Sequence, residues 1–278
     1  MRRYSLPILG LVMALILAGC MAQAAKPAPL SKSEAMRPTQ AAELKSPEPL
    51  PTKPSGPVLA APSYEPEGGG CFDDALFVGD SIMEGIRQYV AARRQEGELL
   101  GTARFLTSTM GVALADLVGE RDTGAGFTYR GNEKPLEDIV AEIAPRRVFL
   151  LLGLNDLAGA NPVVADIVER YARLIANLQA ACPGMEVIVI TNPPKVASRW
   201  LPDYTANRNF GNELIGEFVA ALAQMCRERE VPYVDAYEAL KNEAGALPDD
   251  FCRDGYVHLN HRGAAAVVDA LNAFAEGR

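Results

Sequence analysis

Four short blocks of the 278-residue sequence carry side chains that together could perform acyl transfer. They are Gly79-Asp80-Ser81-Ile82, Thr109-Met110-Gly111, Gly153-Leu154-Asn155-Asp156 and Asp254-Gly255-Tyr256-Val257-His258. Singly, each block has an ordinary explanation: Ser81 as a helix cap, Asn155 as a turn residue, Gly111 as a positive-φ position. Jointly they supply a nucleophile, a base and an oxyanion hole. Ser81 presents its hydroxyl at the start of a helix, where backbone N–H groups face developing negative charge. His258 takes the Ser81 proton and later delivers it to the leaving alcohol, while a nearby acid orients the imidazole. The N–H groups of Ser81 and Gly111 and the side-chain amide of Asn155 make three oxyanion donors. Asp80 and Asp156 read as turn residues and hydrogen-bond partners beside them.

The elements that must position these blocks follow from the hydrophobic pattern. Residues 75–78, 147–152 and 186–191 are apolar runs without alternation, the signature of strands buried on both faces. Residues 103–106 and 232–235 are shorter candidates. Helical patterns cover 82–94, 135–144, 162–181, 207–229 and 263–276, and the polar, Gly-rich segment 119–134 reads as a long surface loop. Strands alternating with helices predict an α/β fold: a five-stranded parallel sheet in a three-layer α/β/α sandwich, flavodoxin-like, with order 2-1-3-4-5. Ligands in such folds sit beyond the carboxyl ends of the strands, where the first three blocks fall.

The blocks resemble those of the SGNH/GDSL hydrolases, a family named for Ser, Gly, Asn and His. Ser81 in Gly-Asp-Ser-Ile matches the nucleophile block, Asn155 in Gly-Leu-Asn-Asp the asparagine block, and His258 the histidine. Gly111 is the best match for the glycine block, although Gly101 and Gly119 lie in the same region. The resemblance spans residues 74 to about 276 and implies the same α/β/α fold, ester hydrolysis and no cofactor. One position departs from it. The family's acid lies three residues before the histidine, which here is Gly255. Asp254, four before His258, is the favoured acid, because Gly255 can absorb an extra loop residue. Asp249, Asp250 and a Ser–His dyad are the alternatives.

Composition excludes other chemistry. The two histidines, His258 and His261, cannot make a three-histidine metal site, and the five cysteines form no CxxC pair. His261 reads as a capping or surface residue. A net charge of −8 argues against nucleic-acid binding. Trp200, the single tryptophan, either lines the cleft or packs under its loop. The N-terminus reads as an address. Residues 1–19 form a signal peptide with Arg2 and Arg3 before an apolar run, and Leu17-Ala18-Gly19-Cys20 resembles a bacterial lipobox in which Cys20 is lipidated. Losing Arg2 and Arg3 with the leader lowers the charge from −8 to −10. Ten of the 20 prolines fall within residues 27–66, so residues 20–70 are expected to be a lipidated Cys followed by a disordered tether. Residues 71–278 are the expected hydrolase domain. Those readings predict an exported lipoprotein, held at the outer face of the cytoplasmic membrane or at the outer membrane, whose partner is an ester substrate. They leave open the substrate's identity, the oligomeric state and any pairing of Cys71, Cys182, Cys226 and Cys252.

Overall fold

Three apolar runs become the central parallel strands because they are buried on both faces, and two shorter, partly exposed strands form the edges of the sheet. The computed structural model describes residues 70–97 and 99–278; the leader, Cys20 and all of the tether but Gly70 lie outside the described residues. In chain order the elements are β1 (Ala75–Gly79), α1 (Ser81–Arg93), β2 (Arg104–Thr107), α2 (Leu114–Leu117), β3 (Phe127–Tyr129), β4 (Asn132–Lys134), α3 (Leu136–Ile143) and β5 (Arg147–Leu151). They continue with α4 (Leu154–Ala158), α5 (Val164–Ala181), β6 (Glu186–Ile190), α6 (Asn212–Glu228), β7 (Tyr233–Val234), α7 (Ala236–Leu240), a 3-10 turn (Asp249–Phe251) and α8 (His261–Glu276). The sheet order is β2-β1-β5-β6-β7, all parallel, which is the expected 2-1-3-4-5 order.

All five residues of β1 and four of five in both β5 and β6 are buried, which accounts for their unbroken apolar character. The registers Phe77↔Phe105 and Phe77↔Phe149 place three rings side by side on one face of the sheet. Phe77 stacks on Phe149 at 4.5 Å and on Phe105 at 5.0 Å between centroids, and Phe274 of α8 meets Phe149 edge-on. Cross-strand aromatic pairs of this kind each add about 0.5–1 kcal/mol beyond simple burial. This ladder fixes β1 against β5, and those are the two strands whose carboxyl ends carry Ser81 and Asn155.

Three local expectations change. The segment read as one long loop contains an antiparallel hairpin, β3–β4, pairing Phe127 with Lys134. The helix expected from 207 starts at Asn212, because the Asn207 side chain is taken up by a turn: it donates to the Leu157 carbonyl and accepts from the Asn209 N–H. Asn155 lies inside the short helix α4 rather than in an open turn.

Candidate active site

Ser81 is the first residue of α1. Asp80 caps that helix, its Oδ1 accepting from the Ile82 N–H at 2.9 Å. The approach to the turn is tight: a Cβ on Gly79 would lie 2.5 Å from Met83 Cβ and 2.7 Å from the Leu151 carbonyl oxygen. Only glycine lets β1 end so close to both its own helix and β5. Ser81 Oγ then lies 2.9 Å from His258 Nε2, across 177 residues of sequence.

His258 comes from the loop between the 3-10 turn and α8. Its Nδ1 is 2.5 Å from Asp254 Oδ2, a short charge-assisted contact. Asp254 therefore uses one oxygen for the imidazole. The other, Oδ1, accepts from the N–H groups of Tyr256 (2.9 Å) and His258 (3.2 Å) and from Cys252 Sγ (3.3 Å). A one-residue-longer spacing is accommodated because Gly255 takes φ +70°, and the Arg253 N–H closes the loop on the His258 carbonyl. Burial alone would raise the Asp254 pKa; hydrogen bonds led by that from His258 outweigh it and hold the carboxyl below its usual range. The rival acids are elsewhere: Asp250 pairs with Arg262 at 2.6 Å, and Asp249 opens the 3-10 turn. Asn260 caps α8 through Arg262 N–H and Gly263 N–H, while its own amide donates to the carbonyls of Asp250 and Cys252, tying the loop to the helix.

Gly111 lines the same cleft as Ser81 and His258, with φ +71° and its N–H free of protein partners among the described residues. Gly101 packs against Asp73 instead, and Gly119 is not among the residues lining this cleft. Asn155 Nδ2 donates to the Val112 carbonyl at 2.9 Å and to Asp80 Oδ2 at 3.2 Å, so its amide hydrogens are engaged in the free protein. Asp156 Oδ2 accepts from the Leu114 N–H at 2.8 Å and so fixes the Gly111–Leu114 segment onto α4. Burial pushes the Asp156 pKa up. It pushes that of Asp80, fully enclosed and close to the Asp156 charge, to about 7.

The cleft has a volume of about 550 Å³. Besides Thr109 and Tyr256 from the blocks, residues that short motifs did not flag complete it: Arg121, Tyr204 and Phe210. The only sequence signal for them is membership of loops following strands. Trp200 is exposed and stands edge-on to Tyr256 at 6.1 Å. His261 opens α8 at the surface beside Tyr89. Cys71, Cys182, Cys226 and Cys252 are free thiols, and no cluster of metal-ligating side chains occurs among the described residues.

The geometry is that of a hydroxyl whose proton can pass to an imidazole held by a carboxylate. The sequence model of the GDSL-like lipase/acylhydrolase family matches residues 77–266, well over half of the chain. The chain belongs to that family. Its chemistry is accordingly ester hydrolysis. Solved structures agree in fold. A GDSL-like lipase from Bacteroides thetaiotaomicron is 17% identical, with a TM-score of 0.54 over 73% of this chain and 87% of that one. A lipase/acylhydrolase from Enterococcus faecalis is 18% identical, with a TM-score of 0.52 over 73% and 96%. A catalytic mutant of an acetylxylan esterase from Geobacillus stearothermophilus is 16% identical, with a TM-score of 0.51 over 72% and 93%. No curated protein matches the sequence.

Proposed function

We propose that this acylhydrolase is an exported, membrane-anchored serine esterase that removes small acyl groups, such as O-acetyl, from carbohydrate or cell-wall polymers. The carrying observation is the continuous relay from Ser81 Oγ through His258 to Asp254 at the floor of an open cleft.

In this reading Ser81 Oγ attacks the ester carbonyl while His258 Nε2 accepts its proton. Asp254 stabilises the imidazolium that forms and keeps Nε2 aimed at the nucleophile. The tetrahedral oxyanion sits against the N–H groups of Ser81 and Gly111. Asn155 joins them by turning its longer hydrogen bond, that to Asp80, toward the new charge. A single donor of this kind is worth about 3 kcal/mol in the transition state. His258 then protonates the departing alcohol oxygen, leaving acyl-Ser81. Water, deprotonated by the same imidazole, attacks that ester; the acid leaves and Ser81 recovers its proton.

The acyl preference is supported by the mixed lining of the cleft, in which the polar Thr109, Arg121 and Asn155 and the small Gly111, Ala158 and Gly159 share the wall with Ile82, Leu154, Phe210 and Val257. An acetylxylan esterase among the structural neighbours is consistent with it. Anchoring is supported by the Leu17-Ala18-Gly19-Cys20 block. The test compares hydrolysis of p-nitrophenyl acetate, butyrate and palmitate by the full chain and its Ser81→Ala variant. Fastest turnover of acetate, lost with Ser81, is expected. Fastest turnover of palmitate would replace this reading with a lipase, lysophospholipase or thioesterase acting on long chains. No Ser81-dependent rate on any ester would leave only a glycan- or protein-binding surface domain. Fractionation of cells expressing Cys20→Ser is expected to move the protein out of the membrane pellet.

A further inference from the structure

Four large hydrophobic side chains are strongly exposed in the described residues: Met110, Val163, Trp200 and Tyr204. Exposed aromatics are ordinary when they are loose, but these two are built in. Trp200 and Tyr204 each meet the buried ring of Tyr256 edge-on, at 6.1 and 6.3 Å, with interplanar angles of 84° and 75°. Tyr256 is fixed in turn by a 3.0 Å hydrogen bond between its hydroxyl and Thr205 Oγ1. The loop carrying both rings is pinned from below by Lys195, a buried ammonium that donates to the carbonyls of Val196 and Ser198 and sits 5.9 Å from the Tyr256 ring. Tyr256 is also two residues from His258. The aromatic pair therefore packs beside the catalytic loop, and Tyr204 lines the cleft itself.

A second feature of the cleft addresses polar ligand groups. Arg121 lines it with a half-exposed guanidinium whose Nε and Nη2 are held by Asp116, at 2.9 and 2.7 Å. Asp116 is itself almost fully enclosed and also accepts from Ala113 N–H and Thr123 Oγ1, so the carboxylate fixes the guanidinium from behind. The remaining N–H bonds of Arg121 are left for hydroxyl or carbonyl oxygens.

We infer that Trp200 and Tyr204 form a stacking platform for a sugar ring, and that Arg121 donates to the hydroxyls of the same carbohydrate chain as it delivers its O-acyl group to Ser81. A sugar presents an apolar C–H face and a rim of hydroxyls, matching preset aromatic faces beside a fixed donor fork. A hydrocarbon chain would make no use of the free donors of Arg121, which would stay with water. This inference rests on the esterase reading for its place in the reaction, but binding tests it separately.

Because Trp200 is the single tryptophan of the chain, its fluorescence reports on the platform directly. The full chain carrying Cys20→Ser, which prevents lipid attachment, and Ser81→Ala, which prevents turnover, is titrated with acetylated xylo-oligosaccharide and with N-acetylglucosamine oligomers. A saturable change in tryptophan emission is expected with at least one of them. Tyr204→Ala is expected to weaken that binding about tenfold, whereas Tyr204→Phe, which keeps the ring, stays close to the parent. Circular dichroism melts serve to check that each variant is folded. No emission change with either oligosaccharide overturns the inference, as does equal binding by Tyr204→Ala. A change produced instead by octanoate or by phosphatidylglycerol vesicles overturns it in favour of an acyl or membrane contact. Binding as expected, in a chain whose Ser81 form hydrolyses no ester, would refute the esterase reading and leave the platform standing.

Discussion

Ser81 and His258 meet at 2.9 Å, yet the two regions that deliver them are built on opposite principles. The nucleophile turn is an extension of the core. β1 is buried throughout, Gly79 is wedged against Met83 and Leu151, and Asp80 is 1% exposed. The histidine loop sinks Tyr256, Val257 and Leu259 into the core but leaves its reacting pair outside it. His258 and Asp254 keep 19% and 30% of their side-chain surface exposed, and the loop is organised around one carboxylate that accepts four hydrogen bonds. One half of the site is positioned by packing at the reacting residue itself, the other by a polar hub set on apolar anchors. The two halves should therefore fail differently when altered.

The largest effect is expected at their junction. Ser81→Ala should lower kcat for p-nitrophenyl acetate by roughly 10⁴-fold or more, with an unchanged melting temperature, because only the reacting atom is removed. In the histidine loop, Asp254→Asn should cost about 10³-fold or more in kcat by allowing the wrong imidazole tautomer. Asp254→Ala should add a loss of about 1–3 kcal/mol in stability, since the N–H groups of Tyr256 and His258 lose their acceptor. Equal stability of the two variants in urea titrations would deny the hub its structural role.

A smaller effect is expected at Gly255. An alanine there meets no steric obstacle but must hold φ +70°, which costs about 1–2 kcal/mol. Activity should fall severalfold through displacement of His258, read as a change in kcat with little change in KM.

The subtlest contrast is in pH dependence, where the two aspartates have opposite signs. Asp80 ionises near 3.8 when unfolded but holds its proton to about 7 in the fold. Between those values the folded state binds more protons, so the Asp80 contribution makes stability fall as pH rises from about 4 to about 7. Asp254, held below its usual range, contributes stability at neutral pH that is lost as pH falls through the acid range. Asp80→Asn, which retains a capping oxygen, should flatten the first slope; Asp254→Asn should flatten the second. Denaturant titrations across pH separate them, and an unaltered slope in either variant would contradict the corresponding assignment.

The same contrast explains what could be read from the sequence. The three central strands of the main sheet were legible because burial on both faces leaves continuous apolar runs, and strand ends led directly to Ser81 and Asn155. The β3–β4 hairpin was not, since Asn132, Glu133 and Lys134 are exposed or half-exposed and carry no alternation. Helix α4 is too short to show a period. Asp254 could be favoured over Asp250 but not placed, because its fit depends on the backbone of Gly255 and on bonds formed only when the loop closes. The engagement of Asn155 with Asp80 and the cleft wall of Arg121, Tyr204 and Phe210 arise from long-range juxtapositions that no local spacing encodes.

The proposed relay makes Ser81 the nucleophile that His258 activates. Reaction of the full chain with a serine-directed fluorophosphonate, followed by peptide mass mapping, tests it most directly. One covalent adduct is expected, on Ser81, formed slowly or not at all in the His258→Ala variant. An adduct on another residue, or none in a chain that still hydrolyses p-nitrophenyl acetate, would contradict it.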